Sequence, residues 1–264
     1  GILLDYLALG LDPEKATLFL QSSVPEVTEL TFLLSNYTPM GLLERAHAYK
    51  DAISRGKNIN HGLFTYPVLM AADILAYHAN IVPVGKDQKQ HIEITRDIAL
   101  RFNNRYGEVL TIPEPFIEKD MAVIPGMDGR KMSKSYGNTI EIFNSPGRMK
   151  KQIMNIVTDS TPMEEPLDAD SCNVFALYRF FATPEECEEM KEKYASPSFG
   201  YGHAKLALFE KIDAYFAPFR EKREALARDE EMVREILRLG GEKARQEAQK
   251  TVSDVRKAVG IIEI

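Results

Sequence analysis

The chain has 264 residues, 44% of them hydrophobic, enough for one large domain or two ordinary ones with sizeable cores. Its net charge of −6 argues against general nucleic-acid affinity and leaves RNA only a local basic face. No apolar run approaches the roughly 20 residues that span a bilayer, and two cysteines fall short of a four-cysteine metal or cluster site.

Cys172 and Cys187 read as free thiols in a reducing cytosol. The five histidines have no HxxxH spacing, so no protein-bound structural metal is expected. The sequence opens on Gly1-Ile2-Leu3-Leu4-Asp5, without methionine, a basic lead or a small-residue cleavage site, and reads as an internal start.

Along the chain, Leu3, Leu4, Leu7 and Leu11 repeat at helical spacing, and Asp12-Pro13-Glu14 ends that helix. Thr17-Leu18-Phe19-Leu20-Gln21 reads as a buried parallel strand. Helices follow over 27–34, 41–52 and 62–77. Asn80-Ile81-Val82-Pro83-Val84-Gly85 is a second buried strand closed by a glycine turn, and a helix runs from about Asp87 to Asn103. A loop over 107–118 leads to a short strand, Ala122-Val123-Ile124-Pro125. Strand and helix in alternation predict a parallel sheet with crossover helices.

After about Phe143 no strand pattern recurs. Helices are expected over 148–157, 173–182, 184–194, 201–230, 231–239 and 242–258, with Gly240-Gly241 as a break between the last two. The fold class is therefore α/β: a Rossmann-like parallel sheet over 1–143, then an all-helical domain over 144–264.

Three stretches carry candidate chemistry. In the first, Tyr66, Met70, Asp73 and Tyr77 fall at i, i+4, i+7 and i+11 and share one helix face. A carboxylate on an aromatic, apolar face is costly unless a donor satisfies it. Asp73 could accept a ligand's single N–H, for which an indole is well suited. It could equally pair with an arginine or cap neighbouring backbone.

The second stretch is Val84-Gly85-Lys86-Asp87-Gln88, at the carboxyl end of the expected strand, where open α/β sheets bind ligands. Gly85 admits close approach of a ligand. Asp87 can accept from ribose hydroxyls or serve as a helix N-cap, and Gln88 can bind an amino or carboxylate group.

The third is the loop Gly129-Arg130-Lys131-Met132-Ser133-Lys134-Ser135-Tyr136-Gly137-Asn138. Two ammonium groups and two hydroxyls between glycines suit a polyphosphate that is becoming a leaving group. The plain alternative is a basic, solvated surface loop. Nothing in it looks like a Walker loop or a kinase glycine loop.

Lys131-Met132-Ser133-Lys134-Ser135 matches the KMSKS signature of class I aminoacyl-tRNA synthetases letter for letter. With the Tyr-x-x-x-Met-Ala-Ala-Asp helix and the Val-Gly-x-Asp-Gln turn before it, the chain resembles the bacterial tryptophanyl-tRNA synthetases over nearly its whole length. Leu-Gly-Leu-Asp-Pro near the start and Val157-Thr158-Asp159-Ser160 share the resemblance.

The resemblance implies activation of L-tryptophan with ATP and Mg2+ (as the substrate complex) and transfer to tRNA(Trp). It implies a homodimer in the cytoplasm, with no membrane partner and an interface drawn largely from 25–61. It assigns Asp73 to the indole N–H, Tyr66 and Met70 to the pocket wall, and Gln88 to the amino-acid head group. ATP falls to Gly85, Lys86, Asp87, Val123, Lys131, Met132, Ser133, Lys134 and Ser135, of which Lys131, Ser133, Lys134 and Ser135 act in catalysis. The helical domain is assigned the anticodon.

The family's first signature, a His-x-Gly-His-like stretch, has no counterpart in these residues, so the 264-residue chain alone is expected to be inactive. The rival readings are a tyrosyl-tRNA synthetase and a catalytically incomplete RNA-binding or regulatory paralog.

Overall fold

The computed structural model describes residues 1–118, 123–162 and 164–262. By packing, the chain divides into two units. One joins Gly1–Leu11 to Met121–Glu230, and the other joins Asp12–Asp120 to Glu231–Ile264. The expected boundary at 143/144 separates elements by type; the packing division cuts the chain elsewhere.

The second of these units holds α2 (Glu26–Ser35), α3 (Met40–Glu44), α4 (His47–Ser54), α5 (His61–Leu75) and α6 (Lys89–Tyr106) with a small parallel sheet whose strands, expected to be buried at 80–85, are largely exposed. Strands β1 (Ile81–Pro83) and β2 (Glu114–Phe116) pair in parallel, Ile81 opposite Glu114 and Pro83 opposite Phe116, and α6 is their crossover. The helix α11 (Glu230–Val259) closes the unit. Val27, Leu30 and Leu34 of α2 meet Val68, Ala72 and Leu75 of α5, Ile94, Ile98 and Phe102 of α6, and Ala244, Ala248 and Val252 of α11. The bidentate Arg256–Glu29 contact, at 2.7 Å on both arms, ties α11 to α2.

The other unit holds α1 (Ile2–Ala8), α7 (Pro146–Met154), α8 (Asn173–Tyr178), α9 (Pro184–Ala195) and α10 (Tyr201–Arg228). Met149, Ile153, Phe175, Tyr178, Tyr194, Leu208 and Ile212 form its core. Thr183 opens α9 with a capping box, its hydroxyl accepting from Glu186 N while the Glu186 carboxylate accepts from Thr183 N. Asp5 on α1 accepts from Arg223 on α10 at 2.5 Å.

Several expectations change. The helix expected over 41–52 is two helices, because the Gln90 side chain takes the His47 N–H at 2.7 Å and donates to the Arg45 carbonyl at 3.2 Å. Backbone groups bound there cannot continue a helix ladder. The segment expected as a strand over 17–21 finds no ladder partner and ends in a 3-10 turn, Gln21–Ser23. Of the strand expected over 122–125, Ala122 lies outside the described residues, and Pro125 makes a single antiparallel bridge to Lys131. The loop expected over 107–118 contains β2, a short strand with Pro115 inside it.

Gly240-Gly241 does not break a helix; both lie inside α11. A Cβ at position 240 would stand 1.9 Å from the Leu18 carbonyl oxygen, and one at 241 would stand 3.0 Å from Ser23 Cβ. The pair is a groove into which the 18–23 segment is laid, and at 240 the approach of backbone is one that only glycine permits.

Candidate functional site

The helix α5 carries the first part of the site. Its N-cap, Asn60, accepts from Leu63 N, which fixes where the first turn begins. Val68, Ala71, Ala72 and Leu75 point into the core, while Tyr66, Met70, Asp73 and Tyr77 are all half-buried. Tyr66, Met70 and Asp73 thus lie on the open side of the helix, while Tyr77, expected on the same face, falls in the turn after the helix ends at Leu75.

Among the described residues no arginine holds Asp73. Its two carboxylate oxygens accept from Gln21 Nε2, at 2.9 and 2.6 Å. Burial raises the Asp73 carboxyl above its ordinary range, and the Gln21 hydrogen bond opposes that rise. One turn on, Tyr77 meets Phe19 edge-on at 5.4 Å between centroids. Burial first, then the Asp73 and Glu26 charges, push its phenol up to about 12.

The turn 85–88 leads into α6. A Cβ at Gly85 would come within 2.6 Å of Asp87 Oδ1, so the carboxylate lies directly against bare backbone. Asp87 does not cap α6, whose N-cap is Gln88 without a side-chain bond. Instead Asp87 Oδ2 accepts from Gln88 Nε2 at 2.9 Å. Gly85, Lys86 and Asp87 are exposed and Gln88 is half-buried.

His91, three residues further, joins this turn to α5: Tyr66 Oη and His91 Nε2 lie 3.2 Å apart, and the rings meet edge-on at 5.4 Å. Burial lowers the imidazole's basicity, partly offset by Asp87. The neutral ring is therefore the favoured form near neutral pH. Burial alone raises the Tyr66 phenol. The structure carries Tyr66, Met70 and Asp73 on α5 and joins Tyr66 to His91 in the first turn of α6, the helix that Gln88 precedes as N-cap.

Val123 and the lysine loop belong to the other unit. There the loop is a built turn. Pro125 bridges Lys131, Met132 N donates to Ile124 O at 2.8 Å, and Gly126 N donates to Arg130 O at 2.7 Å. Asn138, 3% exposed, is the pivot. Its Oδ1 accepts from Ser133 N at 2.8 Å, and its Nδ2 donates to Asp128 Oδ1 at 2.7 Å and to Lys131 O at 3.1 Å. The Asn138 hydrogen bond, then Arg130, holds the Asp128 carboxyl below the usual carboxylate range.

Met132 packs on the helical core beside Met127 and Ile140. A 3-10 turn, Lys134–Tyr136, ends at Gly137 in the left-handed region, φ 65°. Ser133 Oγ and Ser135 Oγ lie 2.8 Å apart. Lys131, Lys134, Ser135 and Val123 are exposed. Among the described residues neither lysine forms an ion pair, while Arg130 is held by Asp128 at 2.6 Å and lies over the Tyr136 ring. Two uncommitted cations on a rigid turn can meet an anion at little reorganisation cost.

Sequence reasoning passed over Gln21, His91 and Asn138. Gln21 lies far from Asp73 in the chain, and no periodicity relates them. His91 had a readable signal: it follows the Gly-x-Asp-Gln turn by one helical turn.

A family model described as tRNA synthetases class I (W and Y) matches residues 2–217. A tryptophan–tRNA ligase of Fusobacterium nucleatum is 54% identical over 99% of this chain and 81% of its own length. The Rhodopirellula baltica protein of the same name is 53% identical over 98% of this chain and 81% of its own. Among solved structures, a Campylobacter jejuni tryptophanyl-tRNA synthetase complexed with ADP and tryptophan superposes with a TM-score of 0.93 at 49% identity, covering 98% of this chain and 81% of that one.

Proposed function

The chain belongs to the class I tRNA synthetases of the tryptophan and tyrosine type, and we propose how its own residues divide that family's work. Its reaction is the ATP-dependent activation of L-tryptophan to tryptophanyl-adenylate and transfer of the amino acid to tRNA(Trp). The relatives, 45–54% identical and all tryptophan–tRNA ligases, retire the tyrosine alternative.

In this reading Asp73 receives the indole N–H, and Tyr66 and Met70 line the slot. Gln88 holds the amino-acid head group. Gly85, Lys86, Asp87 and Val123 contact ATP, which arrives with Mg2+ on its phosphates. The tryptophan carboxylate attacks the α-phosphorus in line, and no side chain need act as nucleophile. Lys131 and Lys134, with the Ser133 and Ser135 hydroxyls, stabilise charge gathering on the departing pyrophosphate.

The helical domain over 144–264 reads the anticodon. Segment 25–61 forms a homodimer interface, a role supported by the exposure of Phe32, Met40 and Ile53 (72%, 62% and 53%). The work takes place in the cytoplasm; among the described residues no helix is long and apolar enough to cross a membrane.

One observation carries the amino-acid assignment: a half-buried carboxylate on an aromatic helix face, held by a neutral amide. The chain contains no tryptophan, so indole fluorescence excited at its red edge reports the ligand alone. Asp73→Leu should weaken tryptophan binding by about 10- to 100-fold, the loss of a hydrogen bond to a charged group. Wild-type affinity in that variant would remove Asp73 from the site.

A further inference from the structure

We propose that Gln21 is a specificity-determining positioning residue: its amide fixes the Asp73 carboxylate in the orientation that receives an indole N–H, and the glycine pair of α11 fixes Gln21. The proposal rests on the assignment of Asp73 to tryptophan given above. A single donor nitrogen lies within hydrogen-bond distance of both carboxylate oxygens. A carboxylate straddled this way cannot turn about its last torsion without losing one of the two contacts. It has about four lone-pair sites, so acceptor capacity remains for one further donor in a fixed direction.

Gln21 is itself held from both sides. Before it, the Leu18 carbonyl rests on Gly240 and Phe19 packs on Tyr77. After it, Ser23 rests on Gly241 and Val24 is buried. The segment is thus a strap anchored at both ends, with the amide between the anchors aimed at Asp73.

Among the described residues, the titratable and charged groups on the elements packed about this face form no ion pair with Asp73. Tyr66 on α5 and Tyr77 in the turn after it both have raised phenols. Glu26, at the start of α2, is taken by Arg245 and Gln249 of α11, at 2.7 and 2.9 Å. His91 of α6 is held toward the neutral form. Among the described hydrogen bonds, the carboxylate's only donor is Gln21, which opposes the cost of burial.

This arrangement separates ligands by the N–H itself. A site built to bond an N–H rejects the analogue lacking it, because its own buried polar group is left unpaired. L-tryptophan and 1-methyl-L-tryptophan share ring and fluorescence and differ in that donor.

The test measures both affinities from pH 5 to 9 in the wild type, Gln21→Met and Gln21→Glu. Gln21→Met keeps length and bulk and removes the donor. It should weaken tryptophan roughly tenfold, leave 1-methyl-L-tryptophan within about twofold, and so collapse the ratio between them. Affinity that needs the ionised carboxylate is lost as pH falls through its pKa. With the opposing hydrogen bond gone that loss begins at higher pH, and it begins higher still in Gln21→Glu, where two carboxylates share the space. An unchanged ratio and pH profile in both variants overturns the proposal. So does an equal loss for the two ligands, the mark of a merely structural role. A wild-type protein that does not favour tryptophan over its N-methyl analogue fails at Asp73 itself, and that outcome refutes the tryptophan assignment and this proposal together.

Discussion

Gly240→Ala isolates the packing that sets the site. At this position the added methyl would lie 1.9 Å from the Leu18 carbonyl oxygen and 2.8 Å from its carbon. Carbon and oxygen rest at about 3.3 Å at the closest, so the strap must retreat by roughly 1.4 Å. Overpacking of this kind costs about 1–3 kcal/mol, and alanine returns about 0.5–1 kcal/mol of helix preference. The net expectation is a loss of about 0–2.5 kcal/mol, centred near 1 kcal/mol.

Gly241→Ala is the internal control. It gains the same helix preference, but its methyl meets only Ser23 Cβ, at 3.0 Å, on an exposed residue with room to move. Its stability should stay within about 0.5 kcal/mol of the wild type. Urea unfolding followed by circular dichroism compares the two, with the slope of each transition checked for constancy. Tryptophan affinity should fall in Gly240→Ala, because Gln21 moves with Leu18. A Gly240→Ala protein as stable as Gly241→Ala would mean the strap does not rest on α11, and the reasoning would be refuted.

In the complete gene product, Lys131→Ala and Lys134→Ala should each lower the turnover of tryptophan-dependent pyrophosphate exchange by about 10²–10³-fold. Tryptophan affinity should stay near wild type, since these charges act on the transition state; an equal loss of affinity would count against that role. Asn138→Ala strands Ser133 N and the Lys131 carbonyl, at about 1–3 kcal/mol for each group left unpaired. Amide exchange across 131–138 should accelerate, and unaltered protection would deny Asn138 its place as pivot. The same variant removes the main group holding Asp128 low. A depressed carboxyl stabilises the fold above its unfolded pKa and loses that contribution as pH falls through the folded value. In Asn138→Ala that contribution should shrink and its loss be complete at higher pH, visible as an upward shift of the Asp128 titration by NMR.

The open face of α5 was legible because helical periodicity is a local property. Tyr66, Met70 and Asp73 follow from one another along the helix, and the structure keeps all three half-buried on it; Tyr77, also half-buried, lies just past the helix end. The glycines show the opposite case. Gly240-Gly241 read as a break because glycine is a poor helix former, yet the pair lies mid-helix in α11. What decides their conformation is the Leu18 carbonyl, more than 200 residues away in sequence. The helix expected over 41–52 failed for the same reason. Its interruption is written in Gln90, whose side chain takes backbone groups at Arg45 and His47. Local preference gave way to a distant partner at both places.

The lysine loop combines both kinds of information, which explains why its five letters read so clearly. Met132 packs on the helical core, and Ser133 N is held by Asn138. Lys131 and Lys134 stay exposed, and the described residues offer them no carboxylate. Met132 and Ser133 thus serve the fold, and the exposed Lys131 and Lys134 remain for the ligand proposed above. A basic surface loop has no need of a buried asparagine making three hydrogen bonds to keep its shape. Through those three hydrogen bonds Asn138 fixes the backbone from Lys131 to Ser133, which suits the charge-stabilising role proposed for the two ammonium groups.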